Sequence, residues 1–163
     1  SMIRKARKQD LPELDLLYEN ARNFMHTHGN PGQWNDGHPC SKDLEPDIEK
    51  GWLFVIEEDG RIQASFVYYE GEDPTYQYID GRWLNDEPYG VAHKVASSGL
   101  KKGMGDQIIS YLKTRNKNLK LDTHADNRFM KNLLERNGFI HVGTIYLADG
   151  SPRDAYHYVE KGA

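Results

Sequence analysis

The chain has 163 residues, enough for one domain with a full core. Its 21 basic and 25 acidic side chains leave a formal charge of −4, which argues against a nucleic-acid binder, and its longest apolar run, residues 52–56, is far short of a membrane span. A single cysteine, Cys40, excludes an internal disulfide and fits a reducing cytoplasm.

No secretory leader pattern opens the chain, and Ser1-Met2 reads as a cloning remnant ahead of the natural start. Residues 2–7 form a short strand candidate. Asp10 then stands as a helix N-cap, with Glu13 three residues on as in a capping box and Pro12 in the first turn. Leu14, Leu16, Leu17, Ala21, Phe24 and Met25 keep an apolar face for about four turns. Residues 27–41 are loop by composition and hold Trp34. His26, His28 and His38 lie close in sequence, but their spacing matches no zinc pattern and Cys40 is the only thiol, so no metal is expected. Residues 43–50 read as a short helix with Pro46 in its first turn and Gly51 as its stop. Residues 52–58 and 61–69 are strand patterns joined by Asp59-Gly60, the strongest hairpin signal in the chain. Residues 71–86 are irregular, with Tyr76, Tyr78 and Trp83 among them.

Residues 89–112 carry the chemistry. Residues 89–97 alternate as a strand, residues 97–102 make a small polar turn with two lysines, and a helix opens at Gly103 with Met104, Ile108, Tyr111 and Leu112 at helical spacing. Strand, basic turn and glycine-bracketed helix start suit a phosphate: the glycines let it approach the backbone, and the first-turn N–H groups and helix dipole favour its charge. A Walker A loop would need Lys then Ser or Thr after its last glycine, where Asp106 and Gln107 stand. A dinucleotide fingerprint would need a third glycine near Ile108. The helix runs to about residue 118, a strand follows at 119–123, and a helix at 125–137 turns Met130, Leu133 and Leu134 inward before the Gly138 stop. Strands at 139–147 and 155–160 flank a turn at 149–152. The order β-α-α-β-β-β-α-β-α-β-β mixes an antiparallel meander with a central βαβα segment, an α+β (mixed α/β) class with no repeat and no dividing linker.

The segment Leu100-Lys101-Lys102-Gly103-Met104-Gly105 resembles the pyrophosphate loop of the GNAT N-acetyltransferase superfamily, Gln/Arg-x-x-Gly-x-Gly/Ala, with Leu100 departing at the first position. Asn127 opening a helix and Gly138-Phe139 closing it resemble that superfamily's second motif, and the element order is also the one it uses. The resemblance implies one GNAT-like domain over residues 2–161, with a mostly antiparallel mixed sheet flanked by helices and acetyl-CoA as cosubstrate. It puts the backbone near Val95 at the thioester carbonyl, with Ala96 and Ser97 continuing along the cofactor. It puts the pyrophosphate on the N–H groups of residues 101–106, so Lys101, Lys102, Gly103, Met104, Gly105 and Asp106 belong to the cofactor site. Asn127 would bond the cofactor's amide arm as well as cap its helix.

Acyl transfer needs a donor for the developing carbonyl charge and a neutral amine, hence a base or a water chain. His93, Asp122 and His124 are the base candidates, histidine suiting the task near neutral pH. Many superfamily members carry a tyrosine acid where Leu134 stands here; Tyr146, Tyr111 or water are the alternatives. The acceptor region of the fold would be the Trp34 loop, the segment holding Tyr76, Tyr78 and Trp83, and residues 146–156, so Trp34, Trp83, Asp122 and His124 are the substrate candidates. With the acids Asp80, Asp86 and Glu87 they suit a small amine with an apolar body; a peptide N-terminus, an amino acid, a polyamine or an antibiotic amine all stay open. The expectation is an N-acetyltransferase acting by direct attack in a ternary complex, without nucleic-acid or membrane partners. The resemblance also admits a homodimer built on the final strands. A non-catalytic CoA-binding or sensor module, and a different nucleotide-binding enzyme, are the alternatives.

Overall fold

The structure, a computed structural model, describes residues 1–162. Eight strands and four α-helices follow in chain order: β1 (Met2–Lys5), α1 (Leu11–Thr27), α2 (Ser41–Glu49), β2 (Leu53–Glu58), β3 (Arg61–Glu70), β4 (Asp80–Gly81), β5 (Gly90–Ser97), α3 (Met104–Arg115), β6 (Asn118–Thr123), α4 (Arg128–Arg136), β7 (Ile140–Tyr146) and β8 (Pro152–Val159). Short 3-10 turns cover Lys8–Asp10 and Pro74–Tyr76. The chain divides into two compact units: Ser1–Tyr68 with His93–Ile108, and Tyr69–Ala92 with the chain from Ile109 onward.

In the first unit, β1, β2 and β3 form an antiparallel meander and β3 neighbours β5. Asp59 and Gly60, at φ 55° and 75°, supply the two left-handed residues that a tight β2–β3 hairpin requires. Leu14, Leu17 and Tyr18 of α1, Leu44 of α2, and Val55, Ile56, Ala64 and Phe66 of the meander are buried. At about 25 cal/mol per Å² of apolar area, such side chains supply most of the folding drive.

The helix starts differ from expectation. Asp10 does not cap α1 with its side chain. Its carboxylate reaches back to the Arg7 N–H (2.7 Å) and takes a two-pronged bond from Arg4 (2.8 and 3.0 Å), because an acid three residues after the start of a 3-10 turn reaches that start. The guanidinium holds the Asp10 carboxyl below its usual range. Glu13 accepts from the Ile62 N–H at 2.6 Å instead of completing a box. The second helix begins at Ser41, two residues earlier than expected, with Cys40 at its N-cap and the Asp43 carboxylate on the Cys40 N–H (2.9 Å); Pro46 therefore lies inside it.

In the second unit the strand order is β5-β6-β8-β7-β4. Within this unit β5–β6 is parallel, joined at Gly90↔Leu119 and Val91↔Lys120, and β6–β8, β7–β8 and β4–β7 are antiparallel. Strand β8 is thus flanked on both sides, and only β7 borders an edge, covered by the two-residue β4. At that cover Gly81 and Gly143 meet: a Cβ on Gly81 would fall 2.3 Å from the Val142 carbonyl oxygen, and one on Gly143 would fall 2.4 Å from that of Asp80. Leu119, Leu121, Leu133, Leu134 and Tyr156 are buried in this unit. The mixed, mostly antiparallel α+β order agrees with the sequence expectation; β4 and the 3-10 turn at Pro74 are the additions within the stretch read as irregular.

Candidate active site

Strand β5 is irregular where its sequence gives no hint. Lys94 sits at φ 53°, a left-handed conformation that costs a non-glycine residue about 1–2 kcal/mol. Two anchors hold it. The buried Tyr18 hydroxyl donates to the Lys94 carbonyl at 2.6 Å, lying 3.2 Å from Ser65 Oγ. The Lys94 ammonium donates to the Asp47 carboxylate at 2.6 Å. A kink of this kind re-aims the residues that follow it. Those residues are Val95, half-buried, Ala96, buried, and Ser97, half-buried, all expected along the cofactor. His93, half-buried, precedes the kink. The β5–β6 ladder stops at Val91↔Lys120, whereas β5 runs on to Ser97.

Beyond β5 the chain turns through Gly99 and Gly103, both at φ 78°, and Leu100 stands 77% exposed between them. Ser98 ties the turn down, its Oγ donating to Gln63 Oε1 (2.7 Å) and accepting the Leu100 N–H (3.1 Å). Helix α3 opens with the Gln107 N–H on the Gly103 carbonyl (3.0 Å), so the N–H groups of Met104, Gly105 and Asp106 precede its first internal bond. A Cβ built on Gly103 meets no atom within 4 Å, which leaves the backbone there open to an anion. Met104 is buried and anchors the helix start. The lysines differ from expectation in emphasis: Lys101 Nζ lies 3.6 Å from Glu58 and 3.7 Å from Asp59, so much of its charge answers the β2–β3 hairpin. Asp106 adds an acid to the first turn of α3. Backbone N–H groups, more than lysine charge, therefore make this turn fit a diphosphate.

In the second unit, β6 carries Asp122 and leads into His124. The buried Tyr76 hydroxyl donates to Asp122 Oδ1 at 2.5 Å. Tyr76 is fixed in turn by Trp83, whose indole N–H donates to the Tyr76 carbonyl at 2.9 Å and whose ring lies 5.2 Å away. Burial, then the Asp122 charge, raises the Tyr76 phenol well above its usual range, so it stays a donor. His124 Nδ1 accepts the Asp126 N–H at 3.0 Å, which leaves the ring's hydrogen on Nε2 in the neutral form. Asn127 caps α4, accepting the Met130 N–H at 3.0 Å as expected.

The segment with Trp83 is pinned to the sheet. His157, fully buried, accepts the Leu84 N–H on Nδ1 (3.0 Å) and donates from Nε2 to Asn118 Oδ1 (2.7 Å), and the Asn118 amide donates to the carbonyls of Glu87 and Pro88. Lys120, 5% exposed, places its ammonium 4.4 Å from the Trp83 ring centre and 4.0 Å from that of Tyr89, a cation–π pair of contacts. Trp83 is thus braced by Tyr76, His157 and Lys120 while staying partly exposed, a wall more than a mobile contact. Tyr146 is 39% exposed with its ring 6.2 Å from that of Tyr78. In the first unit, Trp34 sits at φ 58° with its ring 5.6 Å from Tyr18. His26 donates to the Gln33 carbonyl from Nε2 (2.7 Å), and His38 lies 2.9 Å from Asp43. Among the described residues no group of three or more His, Cys, Asp or Glu is placed to hold a metal. Three residues of consequence were missing from the sequence expectation: Tyr18, Lys94 and Tyr76 as a partner of Asp122. Tyr76 showed only as one of the aromatics of its segment, and nothing local marks Tyr18 or Lys94.

A mixed sheet with the parallel β5–β6 pair, a kinked strand before a glycine-opened helix, and a second helix capped by asparagine make the frame of the site. No family model matches the chain. A GNAT-family acetyltransferase from Streptococcus agalactiae superposes with a TM-score of 0.89 at 28% identity, covering 98% of this chain and 95% of its own. The peptidyl-lysine N-acetyltransferase YiaC of Escherichia coli K12 is 25% identical over 138 residues, 85% of this chain and 82% of that protein. The yncA protein of Salmonella typhimurium, solved with its cofactor acetyl-CoA, shares the fold at a TM-score of 0.62 and 19% identity, covering 99% of this chain and 95% of its own. At 28% and 25% identity over most of the chain, these likenesses show the fold of GNAT-family acetyltransferases and support an acetyl-CoA-dependent N-acetyltransferase.

Proposed function

We propose that residues 2–161 act as one domain that moves the acetyl group of acetyl-CoA to a primary amine by direct attack in a ternary complex. The observation that carries this reading is the kinked β5 running straight into the open Gly103 turn. The backbone of Met104, Gly105 and Asp106 would hold the pyrophosphate, with Lys102 and, less strongly, Lys101 adding charge. Val95 would present its N–H to the thioester oxygen, with Ala96 and Ser97 beside the pantetheine arm and Asn127 on its amide. Bound acetyl-CoA supplies an activated carbonyl and a thiolate leaving group. The amine nitrogen forms the new N–C bond as the C–S bond breaks, one proton leaves the nitrogen, and one returns to sulfur. His93 is a proton acceptor candidate, and His124 would serve as one only on releasing the Asp126 N–H from its Nδ1; Tyr146 is the exposed phenol left for the sulfur.

The acceptor is a small amine or a peptide amine, met by Trp34, Trp83, Asp122 and His124. YiaC acts on peptidyl lysine, and a lysine side chain is such an amine. Among the described residues no helix is long and apolar enough to cross a membrane. The single exposed Cys40 and the cosubstrate fit a cytoplasmic setting. The test is incubation with acetyl-CoA and a panel of primary amines, following free thiol. Thiol release that depends on both substrates is expected; confirmed acetyl-CoA binding with no release across the panel refutes transfer. Leu134, fully buried where many relatives place a tyrosine acid, favours a second reading, a CoA-binding sensor, which would show that outcome.

A further inference from the structure

We propose that Lys94 and Asp47 form a clasp that aims the Val95 N–H at the thioester carbonyl, so that both are positioning residues for acetyl transfer. The kinetic arm of this proposal rests on the acetyl-transfer reading above; its spectroscopic arm rests only on acetyl-CoA binding.

Lysine is an unusual choice for position 94. The residue is left-handed inside strand β5, at φ 53°. Glycine takes that conformation without steric cost, and asparagine takes it more readily than other residues; lysine has neither advantage. The next left-handed positions, Gly99 and Gly103, are glycines. A lysine kept at such a point is there for its side chain, and that side chain leads to α2. Its ammonium lies 2.6 Å from the Asp47 carboxylate and 3.4 Å from the Asp43 carbonyl, one helical turn earlier. The paired side chains are largely out of water, 21% and 12% exposed, so removing either partner strands the other's charge.

Helix α2 is a fixed point for this pull. The Ser41 N–H donates to the Asp15 carboxylate of α1 at 2.7 Å, and Leu44 is fully buried. The Asp47 carbonyl takes the Trp52 N–H at 2.9 Å, which ties the same residue to the chain entering β2. The Tyr18 anchor sits in the same cluster. Burial, opposed by the Ser65 bond, and then the Asp47 charge raise the Tyr18 phenol above its usual range, so it stays a donor to the Lys94 carbonyl. One residue is thereby gripped twice, its side chain by α2 and its carbonyl by α1. The Lys94 carbonyl and the Val95 N–H belong to one planar peptide unit and point in opposite directions. With the carbonyl pinned on one side and the left-handed turn held by the clasp, the Val95 N–H is fixed on the other. A donor set in this way need not reorganise as charge develops on the thioester oxygen.

The test uses the whole chain, CoA, acetyl-CoA and n-butylamine as the acceptor probe. Lys94→Ala removes the clasp and keeps the left-handed cost; Lys94→Gly removes both. Circular dichroism checks that each variant is folded. At saturating acetyl-CoA, kcat for thiol release is expected to fall roughly 10-fold or more in Lys94→Ala and roughly 5- to 30-fold in Asp47→Asn, with the KM for acetyl-CoA within about threefold of wild type. Lys94→Gly is expected to recover most of what Lys94→Ala loses. Adding Asp47→Asn to Lys94→Gly is expected to cost nothing further, because the pair is already gone. A clasp that merely held α2 on the sheet would give no such rescue. Equal kcat in the alanine and glycine variants, a loss confined to KM, or a further loss in the double variant overturns the proposal. The Val95 amide resonance decides the matter without turnover. Its proton is expected to move downfield with acetyl-CoA relative to CoA in wild type and Lys94→Gly, and to stay in place in Lys94→Ala and Asp47→Asn. That pattern without thiol release supports the clasp, and only the transfer reading then fails. No difference in wild type, or the same difference in all four proteins, overturns it.

Discussion

Acid should weaken the second unit through one histidine. His157 is fully buried, and burial together with the Lys120 charge pushes its imidazole from 6.5 down to about 4. Its Nδ1 accepts the Leu84 N–H, so a proton there would set two donors against each other. In the unfolded chain the same ring takes a proton below about pH 6.5. The unfolded state therefore binds more protons between about pH 6.5 and 4, and stability falls as pH drops through that window. Above pH 7 the group makes no pH-dependent difference. At pH 5 the two values imply a loss of about 2 kcal/mol, and screening by solvent reduces the expected loss to about 1–2 kcal/mol. Urea unfolding of wild type and His157→Asn at pH 8 and pH 5 measures it. The asparagine can still accept from Leu84 but does not titrate. The variant is expected to be weaker at pH 8, by about 1 kcal/mol for the bond lost to Asn118, and to lose less on acidification. Parallel losses in the two proteins between pH 8 and pH 5 would refute the assignment.

Gly99 and Gly103 share φ 78° and open surroundings, so alanine at either should cost about 1 kcal/mol of stability by urea titration. Only Gly103→Ala is expected to weaken acetyl-CoA binding, by tenfold or more by calorimetry; equal affinities would remove the turn from the cofactor site. Tyr18→Phe withdraws the donor from the Lys94 carbonyl and should cost about 1–2 kcal/mol by denaturation. It should also lower kcat for thiol release at least tenfold if the kink aims Val95, and an unchanged kcat would detach the kink from catalysis. Gly143→Ala would push a methyl group to 2.4 Å from a backbone oxygen and should cost roughly 2 kcal/mol, with hydrogen exchange rising first at residues 80–84.

Features written in adjacent residues were legible. Asp59-Gly60 announced its hairpin because two left-handed residues in a row admit few side chains, and the Gly103 turn and Asn127 cap carried their geometry in their own chemistry. Features set by distant partners were not. The kink at Lys94 depends on Tyr18 and Asp47, far off in sequence, and Ala-His-Lys-Val by itself reads as plain strand. Tyr76 and Asp122 are 46 positions apart, so neither foretells the bond between them. The early start of α2 was hidden for a subtler reason. Cys40 is a weak cap by type, and Asp43, where the helix was expected to begin, reaches backward to do the work.

The approach of Gly81 to Gly143 has a consequence for how this chain can vary. Each position lacks a side chain because the other's backbone occupies the space, and they lie on strands joined by nothing shorter than the whole α3–α4 region. Harm at one site would not be undone by change at the other, since a methyl group on either strikes backbone. Relief comes only from dropping β4 altogether, which would bare the outer flank of β7 and slacken the tether on Trp83. Variation here is therefore expected as gain or loss of the entire cover strand, a switch between two edge designs, with no gradual path between them.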